Sequence, residues 1–256
     1  MIYDRPIVLS IAGFDPCGGA GVLADMKTIE QHQCLGMAIN TSITDQVEDN
    51  FISVKWFSAD EIISNIKTLT DKYSIDFVKI GIIENLNTLH EVVSFMRQQN
   101  KNITIVWDTV LTSSSGFNLM EGIDSHKLIE VLKNIYLITP NINEAIKLSG
   151  ALGIQTDKEI EAANHLAEYC NVLLKGGHSN TQKGIDHLFF NKQTIKIQTE
   201  SLKELSPKHG SGCILSSSIT ANLAFGNDLE TACKRSKLYI EKILNSNSNL
   251  LAYHVA

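Results

Sequence analysis

The stretch KHGSGCILSSSITANLAF, Lys208 to Phe225, sets Gly210, Ser211 and Gly212 directly ahead of Cys213 and then runs into a helix-like segment. A glycine-rich turn that opens a helix leaves backbone N–H groups unpaired and pointing outward. The positive end of the helix dipole lies behind them, and together they suit an anion. A thiol in that field is expected to ionise more readily than a free cysteine, whose ordinary pKa is ~8.5. The same stretch also fits a loop followed by a small buried thiol. Other residues of chemical interest follow other apolar runs: Asp108 in ITIVWDT, Asn141 and Glu144 in TPNINE, and Lys175 ahead of Gly176 and Gly177. Asn141 three residues before Glu144 also spells a capping box, and each of the others also fits ordinary loop chemistry. As a set, a glycine anion hole, a lysine, two carboxylates and a candidate base are what phosphoryl transfer requires. They offer a phosphate cradle, charge neutralisation through Mg2+ and help for the attacking oxygen.

Strand ends of a parallel α/β sheet are where such residues would be positioned, and the chain carries that pattern. PIVLSIAG reads as a buried strand, and GAGVLADMKTIEQHQ places Val22, Met26, Ile29 and Gln33 on one helical face. Short strands rich in Ile and Val (GMAINTSI, IDFVKIG, ITIVWDT, IYLITP) alternate with helical segments (ADEIISNIKTLTDKY, NTLHEVVSFMRQQ, SHKLIEVLKN). This predicts a mostly parallel sheet with helices on both faces. A helix, DKEIEAANHLAEYC, and a strand, NVLLKGG, follow; IDHLFF and TIKIQT, joined by NKQ, read as an antiparallel hairpin. Two helices close the chain, from Gly212 to Phe225 and from Asp228 to about Asn245, parted by Gly226. With no linker and no repeat, a single domain spanning residues 1–256 is expected.

The balance of 22 Lys and Arg against 28 Asp and Glu, a net charge of −6, argues against nucleic-acid binding as the main activity. The apolar run after Asp4 and Arg5 is too short for a signal-peptide core, and no segment approaches the ~18 apolar residues of a membrane span. The five cysteines, at 17, 34, 170, 213 and 233, form no CxxC pair and suggest reduced thiols in a cytoplasmic protein. GAGVLA, Gly19 to Ala24, matches the dinucleotide fingerprint, which raises an NAD-linked enzyme as a rival. However, FDPC separates those glycines from the strand, and the next strand does not end on an acidic ribose partner. The chain has no Gly-Lys dipeptide and so no Walker A loop.

These motifs, in order AGFDPCGGAGVLADMKT, VKIG, TPNINEA, LLKGGH and HGSGCILSSSITANLAFG, resemble the ribokinase-like superfamily. Within it the chain is similar to the hydroxymethylpyrimidine/phosphomethylpyrimidine kinase family of thiamine biosynthesis. The resemblance covers nearly the whole sequence and implies a three-layer ribokinase-like fold. It also implies use of ATP with Mg2+ to phosphorylate 4-amino-5-hydroxymethyl-2-methylpyrimidine and then its monophosphate, and a homodimer. By the same resemblance Gly210 to Cys213 would form the anion hole, with Cys213 in the place of a catalytic base and Ser211 on a phosphate oxygen. Gln46 would read the pyrimidine, with Gly13, Asp25 and Ile82 near that pocket. Asp108 and Glu144 would serve Mg2+, and Lys175 and Asn141 the nucleotide. Three departures stand out: Cys17 replaces the usual serine, Ile82 the usual methionine, and DTVLTSSSGFN the usual DPVM…SGD segment. A pyridoxal or pyridoxine kinase is the nearest alternative, since related enzymes share the scaffold. A ligand-binding regulator without turnover is the alternative outside enzymes.

Overall fold

The computed structural model describes residues 4–112, 116–120, 122–177, 184–199 and 206–254. Six strands are mutually parallel: β1 (Ile7–Phe14), β2 (Leu35–Val47), β4 (Phe77–Ile80), β5 (Thr104–Trp107), β6 (Leu137–Ile138) and β7 (Asn171–Leu174). β3 (Asn50–Trp56), β8 (Asp186–Phe190) and β9 (Gln193–Ile197) add antiparallel at the two edges. The order across this nine-stranded sheet is β3-β2-β1-β4-β5-β6-β7-β8-β9.

Alternation along each strand serves two helical layers. Ile105, Trp107, Ile138, Val172 and Leu174 join one core with α2 (Ala59–Thr70), α3 (Leu86–Gln99), α4 (Ser125–Asn134), α5 (Ile142–Ala151) and α6 (Glu159–Leu166). Val106, Leu137 and Leu173 face the other way and pack with α7 (Ser211–Ala224) and α8 (Leu229–Leu244), while α1 (Gly21–Gln31) lies beside α7. A mostly parallel sheet between two helical layers is the architecture expected from the sequence.

The chain leaves β1 for β2 on one side and returns to β4 on the other. The carboxyl ends of β1 and β4 therefore flank the topological switch point, where ligands collect in such sheets. α7 packs against β1, β4 and β5 directly below that crevice. Its residues from Ile214 to Leu223 are all buried, polar and apolar alike, because the helix is packed against the sheet, α1 and α8. The polar side chains it carries inward are bonded: the Thr220 hydroxyl donates to the Ser216 carbonyl, the Ser218 hydroxyl to Ser236, and the Asn222 amide to the Ser218 carbonyl.

Three local expectations are corrected. Gln33 does not continue the face of α1: the helix ends at Gln31, and Gln33 turns the chain with φ 59°. The strand read as GMAINTSI is longer and pairs with β3, a second strand the sequence reading did not find. IYLITP contributes only Leu137 and Ile138 to the sheet. The hairpin around NKQ forms, with Asn191 and Lys192 both at positive φ, as a tight turn between twisted strands requires. Ser113 to Ser115 of the departing loop, and His178 of LLKGGH, lie outside the described residues.

Candidate active site

The first turn of α7 begins at Gly210, whose left-handed backbone (φ 73°, ψ 14°) carries no side-chain cap. The Ser211 N–H donates weakly to the Lys208 carbonyl (3.4 Å), and among the described residues the N–H groups of Gly212 and Cys213 are left for another acceptor. Glycine is required twice over here, because a Cβ would overlap the Gly19 carbonyl and the Ala20 backbone as well as straining φ. The GGAG loop and the KHGSGC turn thus pack backbone to backbone. A second tie is Asp15, whose buried carboxylate accepts N–H groups of Gly19 (3.1 Å), Ala20 (2.8 Å) and Cys17 (3.1 Å) and the Cys17 thiol (3.0 Å). His209 Nε2 stands 3.1 Å from the same carboxylate. Burial alone would raise the Asp15 pKa, but the bonds from His209, Cys17 and Ala20 outweigh it and hold it down to about 2. Lys208 fastens the other side of the turn by donating to the carbonyls of Asn247 (2.6 Å) and Asn249 (2.5 Å).

Asp108, Glu144 and Lys175 come together beside Gly212. Lys175 Nζ lies 3.0 Å from Asp108 and 3.9 Å from Glu144, and a Cβ on Gly212 would stand 3.4 Å from both Lys175 Nζ and Asp108 Oδ2. Lys175 is placed by its N–H, which donates to the Pro140 carbonyl and aligns the end of β7 with the start of α5. Asp108 is fully buried and also accepts from Thr139 (3.1 Å) and Ser216 (3.4 Å). Burial opposes its ionisation, but Lys175 and Lys79 keep its pKa below the ordinary carboxylate value. Glu144 goes the other way, because burial raises its pKa more than Lys175 lowers it. Asn141 and Glu144 form the reciprocal capping box at α5, so the Asn141 side-chain oxygen is engaged by the helix.

Cys213 follows in the same turn, with the Gly21 N–H directed at its sulfur. The expectation of an easily ionised thiol is corrected. Burial pushes the pKa up to about 11, with Asp108 and Asp25 adding to the rise; Lys79 and the Gly21 N–H only partly offset it. The helix terminus is outweighed because the thiol, though partly exposed, is largely desolvated and lies near two carboxylates.

Gly13 and Ile82 meet at the ends of β1 and β4: a Cβ at Gly13 would overlap the Ile82 side chain and Ser42 Oγ. The Thr41 hydroxyl fixes the Ile82 carbonyl at 2.6 Å. Gln46 lies on the β2–β3 hairpin where the register shifts between Asp45 and Gln46, a bulge of the kind that re-aims a side chain. It is half-buried and makes no hydrogen bond to either cluster among the described residues. Asp25 is not beside an open pocket as expected; it is fully enclosed, paired with Lys79 at 2.8 Å.

Sequence reasoning missed Asp15 and His209, 194 residues apart, and did not single out Lys79 or Ser216. The lone lysine inside the apolar strand VKIG was the available signal for Lys79.

Oxygen donors of this kind suit Mg2+. The carboxylates of Asp108 and Glu144 converge on one lysine beside a glycine-lined helix start, so the residues present fit a magnesium–phosphate group.

Comparison with known proteins identifies the chain's relatives. Residues 15–256 match the family described as Phosphomethylpyrimidine kinase. A hydroxymethylpyrimidine/phosphomethylpyrimidine kinase of Aquifex aeolicus is 32% identical over 252 residues, covering 95% of this chain and 96% of that protein. Among solved structures, phosphomethylpyrimidine kinase from Clostridium difficile 630 superposes with a TM-score of 0.77 at 29% identity, covering 93% of this chain and 99% of that one. An ADP complex of Bacillus subtilis pyridoxal kinase gives 0.78 at 26%, covering 94% and 92%. The chain belongs to the phosphomethylpyrimidine kinase family and has its ribokinase-like fold.

Proposed function

We propose that the chain is an ATP-dependent kinase of thiamine biosynthesis. It phosphorylates the hydroxymethyl group of 4-amino-5-hydroxymethyl-2-methylpyrimidine and then converts the monophosphate to the pyrophosphate. The observation that carries this reading is the meeting of Gly212, at the uncapped start of α7, with the Asp108–Lys175 pair.

In the first step the alcohol oxygen bonds to the γ-phosphorus while the bond from that phosphorus to the ADP oxygen breaks, and the alcohol proton passes to the Cys213 sulfur. A thiol pushed up to about 11 is rarely ionised at neutral pH, but its thiolate, once formed, is a strong proton acceptor. The N–H groups of Gly210 to Cys213 face the transferring phosphoryl oxygens, with Ser211 beside them and Lys175 supplying a positive charge. Bound Mg2+ would be held by Asp108 and Glu144 and would neutralise phosphate charge, with Asn141 near the nucleotide. In the second step the acceptor is a phosphate oxygen, already ionised at neutral pH, so Cys213 has no proton to take.

Gln46 offers a donor and an acceptor to the aminopyrimidine edge. Gly13 and Ile82 form an apolar wall, and Asp25 acts from beneath it. The entire chain serves as one kinase domain. Five free cysteines suit a reducing cytoplasm, and among the described residues no helix is long and apolar enough to cross a membrane. A homodimer is supported by family resemblance and by the exposed Ile43, Val47 and Ile52 on the β2–β3 hairpin.

Product analysis tests the reading. With hydroxymethylpyrimidine and Mg-ATP, phosphorus NMR should show the monophosphate first and the pyrophosphate after it. Appearance of neither would refute it.

A further inference from the structure

The segment after α8 is polar, NSNSN from Asn245 to Asn249, and the phosphoryl-transfer reading gives it no role. It is nevertheless held in one shape by its own side chains. The Asn247 side-chain oxygen accepts the Asn249 N–H at 2.8 Å, and its amide donates to the Leu251 carbonyl at 3.0 Å. Ser246 closes the loop by accepting the Tyr253 N–H at 3.0 Å. Backbone outside a helix or strand needs such partners if it is to keep a fixed course.

The oxygens gathered by this shape are turned on Lys208. Its ammonium has three N–H groups, and three oxygens of the segment receive them. They are the Asn249 carbonyl at 2.5 Å, the Asn247 carbonyl at 2.6 Å and the Asn247 side-chain oxygen at 3.2 Å. Lys208 is only 6% exposed, and among the described residues it has no carboxylate partner. A lysine buried against neutral oxygens alone carries a desolvation cost, so its place in the turn asks for a reason beyond surface charge. The next residue is tied to the same segment, because the His209 N–H donates to the Leu250 carbonyl at 3.0 Å. Leu251 reaches the opposite wall: a Cβ on Gly19 would stand 2.8 Å from Leu251 Cδ2 and 2.7 Å from the His209 ring. The segment therefore grips both loops that meet at the Gly19–Gly210 contact, and it grips the KHGSGC turn at the two residues directly before Gly210.

We propose that Lys208 is a positioning residue for phosphoryl transfer, and that residues 246–251 are the clasp through which it acts. The clasp fixes where α7 begins, and so where the Gly212 and Cys213 N–H groups point. This rests on those N–H groups receiving the transferring phosphoryl group. Without the clasp the turn keeps its ties to Asp15 and Gly19, so the chain still folds while the donors lose their fixed aim. Donors that must be preorganised act on the transition state more than on bound substrate.

The test has two arms. In ligand-free protein, amide hydrogen exchange of the peptide spanning residues 206–216 is followed by mass spectrometry in the parent, in Lys208→Met and in a chain ended after Asn245. Both variants should exchange there about tenfold faster, with peptides of β1 and β5 unchanged. A change of less than twofold at 206–216, or an equal rise across the sheet, overturns the proposal. In the second arm, kcat on hydroxymethylpyrimidine with Mg-ATP is expressed per site that binds ADP in a calorimetric titration. Lys208→Met should lower it about tenfold, while the KM for the pyrimidine moves less than twofold. A purely structural lysine would reduce the number of ADP-binding sites and leave kcat per site unchanged, and that result also overturns the proposal. Should Lys208→Met fail to fold, Asn247→Ala, which keeps the ammonium but removes the organiser of the clasp, is expected to give the same two results. A parent that turns over neither pyrimidine would remove the kinase reading, while exchange would still show whether the clasp holds the turn.

Discussion

The Gly210 backbone lies so close to the carbonyl of Gly19 that no side chain fits between them. This contact joins the loop after β1 to the start of α7, and the N–H groups of the anion hole are aimed by it. Gly210→Ala is expected to cost about 1–3 kcal/mol from the left-handed backbone, and more from the overlap. Displaced donors should lower kcat by about 100-fold. Thermal melting and steady-state kinetics on the same sample check both effects; an unchanged melting point would contradict the packing described.

Lys175 holds Asp108 ionised in a fully buried setting. Lys175→Met should remove a phosphate contact and also leave an unpaired buried carboxylate, lowering kcat by about 100-fold or more. The companion Asp108→Asn/Lys175→Met variant should recover stability but not activity, which urea denaturation and ADP release would distinguish.

Asp15 gives the fold an acid limit. Its pKa in the folded chain, about 2, lies below the ordinary 3.8. Its stabilising contribution is therefore complete above about pH 4 and is lost as pH falls toward 2. Urea midpoints measured from pH 6 down to pH 3 should fall more steeply in the parent chain than in Asp15→Asn. Parallel curves would assign the acid limit elsewhere.

Gln46→Leu removes both the donor and the acceptor offered to the pyrimidine edge while leaving the phosphate site untouched. The KM for hydroxymethylpyrimidine should rise by about 10-fold or more and that for ATP by less than twofold. Equal losses in both would remove Gln46 from substrate recognition.

Local patterns carried much of this fold. SHKLIEVLKN is helical from Ser125 to Asn134 with Asp124 as its cap, and the apolar runs ending near Asp108, Asn141 and Lys175 are neighbouring strands. The strand β3 was missed because NFISVKW is an edge strand with partial exposure on both faces, so its pattern lacks clean alternation. Gln33 continues the helical spacing, yet a left-handed turn at that residue had already ended the helix. The Asp15–His209 and Lys79–Asp25 pairs depend on tertiary approach of distant segments, which spacing does not encode. The Cys213 reading failed for a related reason: a helix start is visible in sequence, whereas the burial and the nearby carboxylates that raise its pKa are not.

The most direct measurement is kcat/KM for ADP release with Mg-ATP on hydroxymethylpyrimidine, its monophosphate and pyridoxal, using one preparation of the protein. The account predicts turnover of both pyrimidines, at least about 100-fold more efficient than of pyridoxal. Preference for pyridoxal, or turnover of the alcohol without its monophosphate, would contradict it.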